Sequence, residues 1–481
     1  MNKTNHDNLD KRTKSGLYWN TSFRIASQIS RFAVGIILAR ILDPIDFGIM
    51  AIGHMVIHYS NSLSDFGFTN AIVQKQELKA IHINSIFTLN LGISIILTLL
   101  IACSSSFIGH FFNSPESGKV LLYMSCLFTL RTFRDIFEAL LRRDVLFKFV
   151  ATIKFIENVF MSFVALVLAI WGFRYWSLVW ATIASNIIGA LFFFLKSKTR
   201  LKIQYDHKAM KSIYSFGIWN FIRVQFFFIN QYITQVVVGK VFGPAALGFF
   251  EKAYQLASTP RESIATQINS VMFSSFSRIQ HDSNKVKEWL IKILIMESII
   301  LLPMMLGIIG VSDHFIIGLL GEKWAPSIVP LQILSLGLIC QIFNGLIASL
   351  NVGIGRYKKQ TLLEFPATII FIVLCFFLKK WGINGISTAY SISMLILAIF
   401  TFSLSRKALS LPGAELLAKV SPYLFINTLM FILVRVLAST LLAQHTISNL
   451  VALITLAILF YIILTGCYNK LKGKGWMYPL R

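Results

Sequence analysis

Asn20, Arg24, Gln28 and Arg31 recur at i, i+4, i+8 and i+11 in the first apolar segment, so a helix carries all four on one face. Guanidinium and amide groups in one stripe can bind an oxyanion through paired hydrogen bonds, the chemistry of phosphate recognition. At about 1.5 Å per residue, Arg24 lies roughly 12 Å and Arg31 roughly 22 Å along that segment, straddling a bilayer midplane. An ionisable group at that depth costs at least about 2.5–3.5 kcal/mol, so it faces a hydrated path or a partner. No acid lies one turn away on the same segment, which favours the hydrated path.

The seventh segment repeats the theme with Asn220, Arg223, Asn230, Gln231 and Thr234, and Arg223 again has no acid one turn away. The fourth differs: Arg131–Asp135 and Arg134–Glu138 are both i,i+4 pairs, so mutual neutralisation is preferred there over substrate contact. The expected cavity groups are Asn20, Arg24, Arg31, Arg131, Asn220 and Arg223. The acids that could couple transport to a cation are Glu157, Glu251 and Glu297. Lys154, Lys252 and Lys292 stand three, one and five residues from them, so local ion pairing is the plainer reading of each. His54 and His58 share a face of the second segment, but two imidazoles without a third ligand make no metal site. No metal and no cofactor is expected.

The elements that must position these groups are membrane helices. The chain has 481 residues, of which 56% are hydrophobic and only 14% charged, with a mean hydropathy of +0.69; soluble domains carry about a quarter charged residues. Apolar stretches of the roughly 20 residues a helical crossing needs recur throughout. The five cysteines are scattered without CxxC spacing, which predicts unpaired thiols. Residues 1–15 are polar and basic with no cleavable apolar core, and read as a cytoplasmic tail. There is no GxxxxGK[ST] for ATP and no loop long enough for a catalytic domain, so the chain reads as a transporter and not an enzyme.

The expected crossings are 16–39, 45–66, 83–112, 119–141, 149–171 and 175–195, then 212–238, 245–275, 289–320, 326–350, 361–378 and 383–404, with 418–438 and 446–467 following. With the N-terminus inside, the inner segments hold 28 of the 45 Lys and Arg residues. The outer loops hold only Arg40, Lys119, Arg174, Lys240, Lys323, Lys379 and Lys380. That bias is the positive-inside pattern, so the net charge of +24 faces the cytoplasm and does not point to nucleic acid. The expectation is an all-α integral membrane protein of about fourteen helices with both termini cytoplasmic; twelve remain open if two segments are re-entrant.

A duplication runs at a spacing of 200. Ser15, Trp19 and Asn20 recur as Ser215, Trp219 and Asn220, and Pro44 and Gly48 recur as Pro244 and Gly248. Six crossings separate the copies, so both enter with the same orientation, as in parallel-repeat transporters. The expected organisation is a tail (1–15), a six-helix lobe (16–195), a second six-helix lobe (212–404) around a central cavity, two further helices (418–467) and a basic tail (468–481). Ala51 stands where the second copy has Glu251, which makes Glu251 the most suggestive of the coupling acids.

Leu-Ala-Arg-Ile-Leu-Asp-Pro-Ile-Asp-Phe-Gly (38–48), followed by Ser-Asp-Phe-Gly-Phe-Thr-Asn-Ala (64–71), resembles the start of the polysaccharide transporter family of Wzx-type flippases. Residues 238–257 (Val-Gly-Lys-Val-Phe-Gly-Pro-Ala-Ala-Leu-Gly-Phe-Phe-Glu-Lys-Ala-Tyr-Gln-Leu-Ala) resemble the matching motif of the second half, the most specific part of the likeness. The family shares a superfamily with MATE-type exporters. The resemblance implies alternating access for undecaprenyl-pyrophosphate-linked oligosaccharides in a bacterial inner membrane, serving exopolysaccharide or O-antigen synthesis beside a polymerase and export machinery. Within the family the chain resembles acidic exopolysaccharide exporters of the colanic or teichuronic acid types. No family substrate residue transfers to a numbered position. The alternatives are a multidrug exporter on the same fold, which would prefer an acidic pocket, and an integral-membrane glycosyltransferase or polymerase, which would carry a large outer loop.

Overall fold

The computed structural model describes residues 3–64, 72, 79–197, 199–409 and 413–471, with side chains described for these outside 3–18, 20, 61–64, 208–227, 229–230, 407–409 and 413–417. Among the described residues there is no strand, and the helices gather into two compact units, Met1–Gly248 and Phe249–Arg481. Ten stretches of the described residues are long and apolar enough to cross a membrane. Gln231–Ile279 and Tyr357–Arg406, at 49 and 50 residues, each exceed twice the length one crossing requires.

In the first unit, α1 (Lys3–Ile41) reaches back through the polar stretch that sequence assigns to a tail, because residues 3–15 contain no Pro or Gly to end it. The chain turns at Asp43, and Pro44 opens α2 (Pro44–Ser64), where its missing N–H costs nothing. The buried Asp46 carboxylate accepts the Asp43 N–H at 3.1 Å and meets Arg174 at 3.4 Å, securing that helix start. There follow α3 (Ala80–Phe111), α4 (Pro115–Met124), α5 (Cys126–Arg143), α6 (Phe147–Ile170) and α7 (Tyr175–Lys196). Helix α8 (His207–Pro260) is broken at Gly243, whose φ of +81° no helical residue adopts. Helix α1 packs on α6, α6 on α7, and α3 on α4 and α5. Ile86, Phe87, Ile136, Phe137 and Phe193 fill one core, and Ile57, Val120, Leu121, Phe128 and Val179 another.

Lipid offers no hydrophobic drive between helices, so close backbone approach through small residues matters more than apolar area. A Cβ on Gly48 would lie 1.7 Å from the Pro244 carbonyl oxygen, and one on Gly248 would lie 1.9 Å from that of Pro44. Corresponding residues of the duplication therefore pack on one another, reciprocally.

The second unit contains the end of α8, a π turn (Arg261–Ala265), α9 (Thr266–Ile279) and α10 (Ser283–Gly310). Asp282 caps α10 by accepting the N–H groups of Asn284 and Lys285, and the Lys285 N–H holds its carboxyl below the usual carboxylate range. The ninth apolar segment ends as helix at Gly310 and not at 320; a separate π turn (His314–Leu320) follows. Ser312 bonds back to the Ile309 carbonyl, and Asp313 pairs with Arg435. Then come α11 (Ile328–Gly353), α12 (Tyr357–Leu378), α13 (Gly382–Leu409), α14 (Gly413–Ser439) and α15 (Ile447–Leu471). Helix α11 packs on α13, where Ser391 donates to the Ile333 carbonyl at 2.7 Å, and α10 packs on α14.

Candidate functional site

Arg31 projects from the middle of α1 toward α6. Its guanidinium donates to Asn158 Oδ1 at 3.4 Å and to Gln28 Oε1 at 3.2 Å, while Asn158 in turn donates to the Ser27 carbonyl at 3.4 Å. Both acceptors on Arg31 are neutral amides, so the side chain is oriented while its charge stays uncancelled. Arg24, two stripe positions away, is exposed and makes no ion pair among the described residues. The side chains of Asn20, Asn220 and Arg223 lie outside the described residues.

Helix α5 sorts its charges differently from the sequence expectation. Arg134 is the hub. It grips Glu157 of α6 with two parallel bonds, Nε to Oε1 at 2.8 Å and a terminal nitrogen to Oε2 at 3.0 Å. It also meets Asp135 at 3.0 Å and its i+4 neighbour Glu138 at 3.9 Å. Lys154, expected beside Glu157, instead reaches Glu138 at 2.6 Å, and Arg142 pairs with the same carboxylate. Glu157 can approach because Gly189 of α7 lacks a side chain: a Cβ there would lie 1.5 Å from Glu157 Oε1. Glu157 is thus an ion-pair member fixed on both sides. Arg131 is drawn by Asp135 and Glu157 and repelled by Arg134, and its Nε has no hydrogen-bond partner among the described residues. The His54 and His58 rings sit 5.8 Å apart, with Arg131 acting on both. Among the described residues no group of three or more His, Cys, Asp and Glu could hold a metal ion.

The second unit holds Glu251 and Glu297. Glu251 attracts Lys252, a buried ammonium 5.6 Å over the Trp324 ring. Glu297 is wholly buried in α10, and neither of its carboxyl oxygens has a hydrogen-bond partner among the described residues. Lys292, five residues earlier, forms no ion pair with it, since five residues turn a helix well away from the same face.

Sequence reasoning missed Arg261. It lies on the π turn, on one face with Tyr254 and Ser258, and its buried Nε has no hydrogen-bond partner among the described residues. It acts on Tyr254 and Tyr390, whose hydroxyls bond to each other, and Tyr390 donates to Gln341 at 3.2 Å. The available signal was an arginine straight after Pro260, inside the apolar segment 245–275. Widened turns of this kind often sit at functional positions.

Residues 37–330 match the family described as polysaccharide biosynthesis protein. The chain is similar to the lipopolysaccharide biosynthesis protein WzxC of Escherichia coli (strain K12), 26% identical over 375 residues, 75% of each chain. It is equally similar to the succinoglycan biosynthesis transport protein ExoT of Rhizobium meliloti (strain 1021), 26% identical over 338 residues, 68% of this chain and 67% of that one. In fold it resembles the lipid II flippase MurJ in an inward closed conformation, with a TM-score of 0.72 at 17% identity, covering 94% of this chain and 99% of that one. The chain shares the helical architecture of that flippase, and its apolar helices make it a multi-pass membrane protein.

Proposed function

The chain belongs to the polysaccharide biosynthesis protein family, and from that premise we propose that it carries undecaprenyl-pyrophosphate-linked oligosaccharide units across the bacterial inner membrane by alternating access. One observation carries the reading to the residues: Arg31 is aimed by two neutral amides, so its charge is available to an anion. A pyrophosphate cannot cross hydrocarbon unaided, and a guanidinium offers it paired, charge-assisted hydrogen bonds. Arg24, Arg31, Arg131 and Arg223, with Asn20 and Asn220, line the path in this reading. The repeats 16–195 and 212–404 are the moving lobes, 418–467 is accessory, and a polymerase outside consumes the delivered unit. Fourteen crossings leave both termini cytoplasmic, so tags at residues 115 and 323 report outside and tags at 203 and 357 report inside.

The test is twofold. In cells lacking the wild-type protein, Arg31→Ala abolishes polymer export at an unchanged membrane level, and Arg31→Lys restores part of it. Normal export by the Arg24→Ala/Arg31→Ala double variant removes both residues from the path. In proteoliposomes the purified protein moves a fluorescent lipid-linked sugar; transport of organic cations instead would return the chain to the multidrug exporters.

A further inference from the structure

We infer that Glu297 is the proton-carrying group of the transport cycle, an assignment that rests on the flippase reading for its role but not for its chemistry. Glu297 is residue fifteen of the 28 in α10, halfway along a helix spanning the membrane, and its relative exposure is 0%. Among the described residues both oxygens lack a hydrogen-bond partner. An ionised carboxylate taken out of water without partners is among the costliest arrangements a protein can hold, and such a group neutralises instead. In this conformation the side chain therefore carries a proton.

The surroundings offer nothing to replace that proton. The elements packed on α10 are the π turn, α9, α11, α14 and α15. Between them these elements carry Arg261, Glu262, Arg278, Glu415, Lys419, Tyr423, Arg435, Tyr461, Tyr468 and Lys470, while α11 contains no acidic or basic residue. Among the described residues none of them forms an ion pair or hydrogen bond with Glu297. Arg435 is committed to Asp313, and the Tyr461 hydroxyl donates to the Ile299 carbonyl at 2.8 Å. The two other acids are committed as well: Glu157 is clamped by Arg134, and Glu251 lies against Lys252. Two fixed partners hold a carboxylate ionised whatever the conformation, whereas a carboxyl without partners changes state as soon as water reaches it.

The location is also asymmetric. Helix α3, the third helix of the first unit as α10 is the third crossing of the second repeat, contains no Asp or Glu at all. A proton bound in only one repeat biases one side of the cycle, which is what a coupled carrier requires. When water enters α10 from the outer face the acid takes up a proton, and when it enters from the inner face the acid releases it. No bond other than O–H forms or breaks, and a transmembrane proton gradient supplies the direction.

Two measurements test this. The first needs no transport: infrared difference spectra of wild type against Glu297→Gln, in lipid at neutral pH. The expected result is a protonated-carboxyl C=O band present in wild type and missing from the variant. Absence of that band from the wild type overturns the assignment. Glutamine is isosteric with the neutral acid, so the variant is expected to keep the wild-type melting temperature; a clear drop indicates an ionised, paired glutamate and also overturns it. The second compares flipping of a fluorescent lipid-linked sugar in proteoliposomes with and without an imposed pH gradient. One pH unit can bias the wild-type cycle by up to about tenfold, and for Glu297→Gln the ratio falls to one. An equal gradient response in both proteins sinks the proposal. A wild type that moves no lipid-linked sugar under any gradient sinks the flippase reading instead, while the infrared band still decides the state of Glu297.

Discussion

Arg134 in the first unit is met by Glu157, Asp135 and Glu138, and Glu138 by Lys154 and Arg142. In the second unit several of the buried polar contacts are neutral. Thr401 donates to Asn344 at 2.5 Å, Ser405 to Asn351 at 2.8 Å, Asn351 to Gln360 at 2.9 Å and Tyr390 to Gln341 at 3.2 Å. Among the described residues the first unit thus gathers a cluster of full charges between two helices, where the second joins its helices through hydroxyls and amides. Charges that neutralise one another are poor substrate or ion ligands, because removing one partner leaves an uncompensated charge behind. Each unit nevertheless keeps an ionisable group that enters no ion pair among the described residues. In the first it is Arg31, aimed by amides; in the second it is Glu297, aimed at nothing.

The sharpest way to break the comparison is to remove one partner of the first-unit cluster. Arg134→Ala or Glu157→Ala is expected to cost about 3–5 kcal/mol, the range for orphaning a buried charge, seen as a large drop in detergent melting temperature. Replacing both by apolar residues should recover much of that loss. Equal damage from the single and double variants would mean that packing, not pairing, dominates here. Gly189→Ala should reproduce the single-variant defect without touching a charge, because its methyl group occupies the position of the Glu157 carboxylate.

Next in size are the matched glycines. Gly48→Ala and Gly248→Ala should each destabilise by at least the roughly 1–3 kcal/mol of overpacking, and by similar amounts, since the two contacts are reciprocal. A mild Gly248→Ala beside a severe Gly48→Ala would show that the pairing is not symmetric in energy. The smallest effect belongs to the second unit's network. Tyr390→Phe removes a single neutral bond and should cost about 0.5–1.5 kcal/mol, measured in the same melting assay. A loss as large as that of Arg134→Ala would erase the distinction between the units.

Much of this molecule could be read without coordinates. Helical crossings follow from hydropathy, the duplication from Pro44, Gly48, Pro244 and Gly248, and the Arg24–Gln28–Arg31 stripe from helical periodicity. The i,i+4 pair Arg134–Glu138 is present, at 3.9 Å. Less legible were the partners contributed by other helices. Spacing assigns Lys154 to Glu157, three residues away, yet Lys154 reaches Glu138 across the α5–α6 contact and Glu157 turns to Arg134. Arg261 went unnoticed because a lone arginine in an apolar segment has no periodic signature.

The sequence by itself determined the all-helical membrane class, the apolar stretches, the matching Pro and Gly positions and the residue types available for anion binding, because all of these depend on local composition and helical period. Only the tertiary structure decided which charges are spent on one another. Pairing between helices depends on which faces meet and how closely, and that was set by bare backbones at Gly189, Gly48 and Gly248. Spacing made Glu157, Glu251 and Glu297 look alike, each with a lysine nearby. Packing left Glu157 in the grip of an arginine, Glu251 against its lysine, and Glu297 buried with no partner. Burial removes water from a carboxyl group, and only the neighbouring helices can replace it.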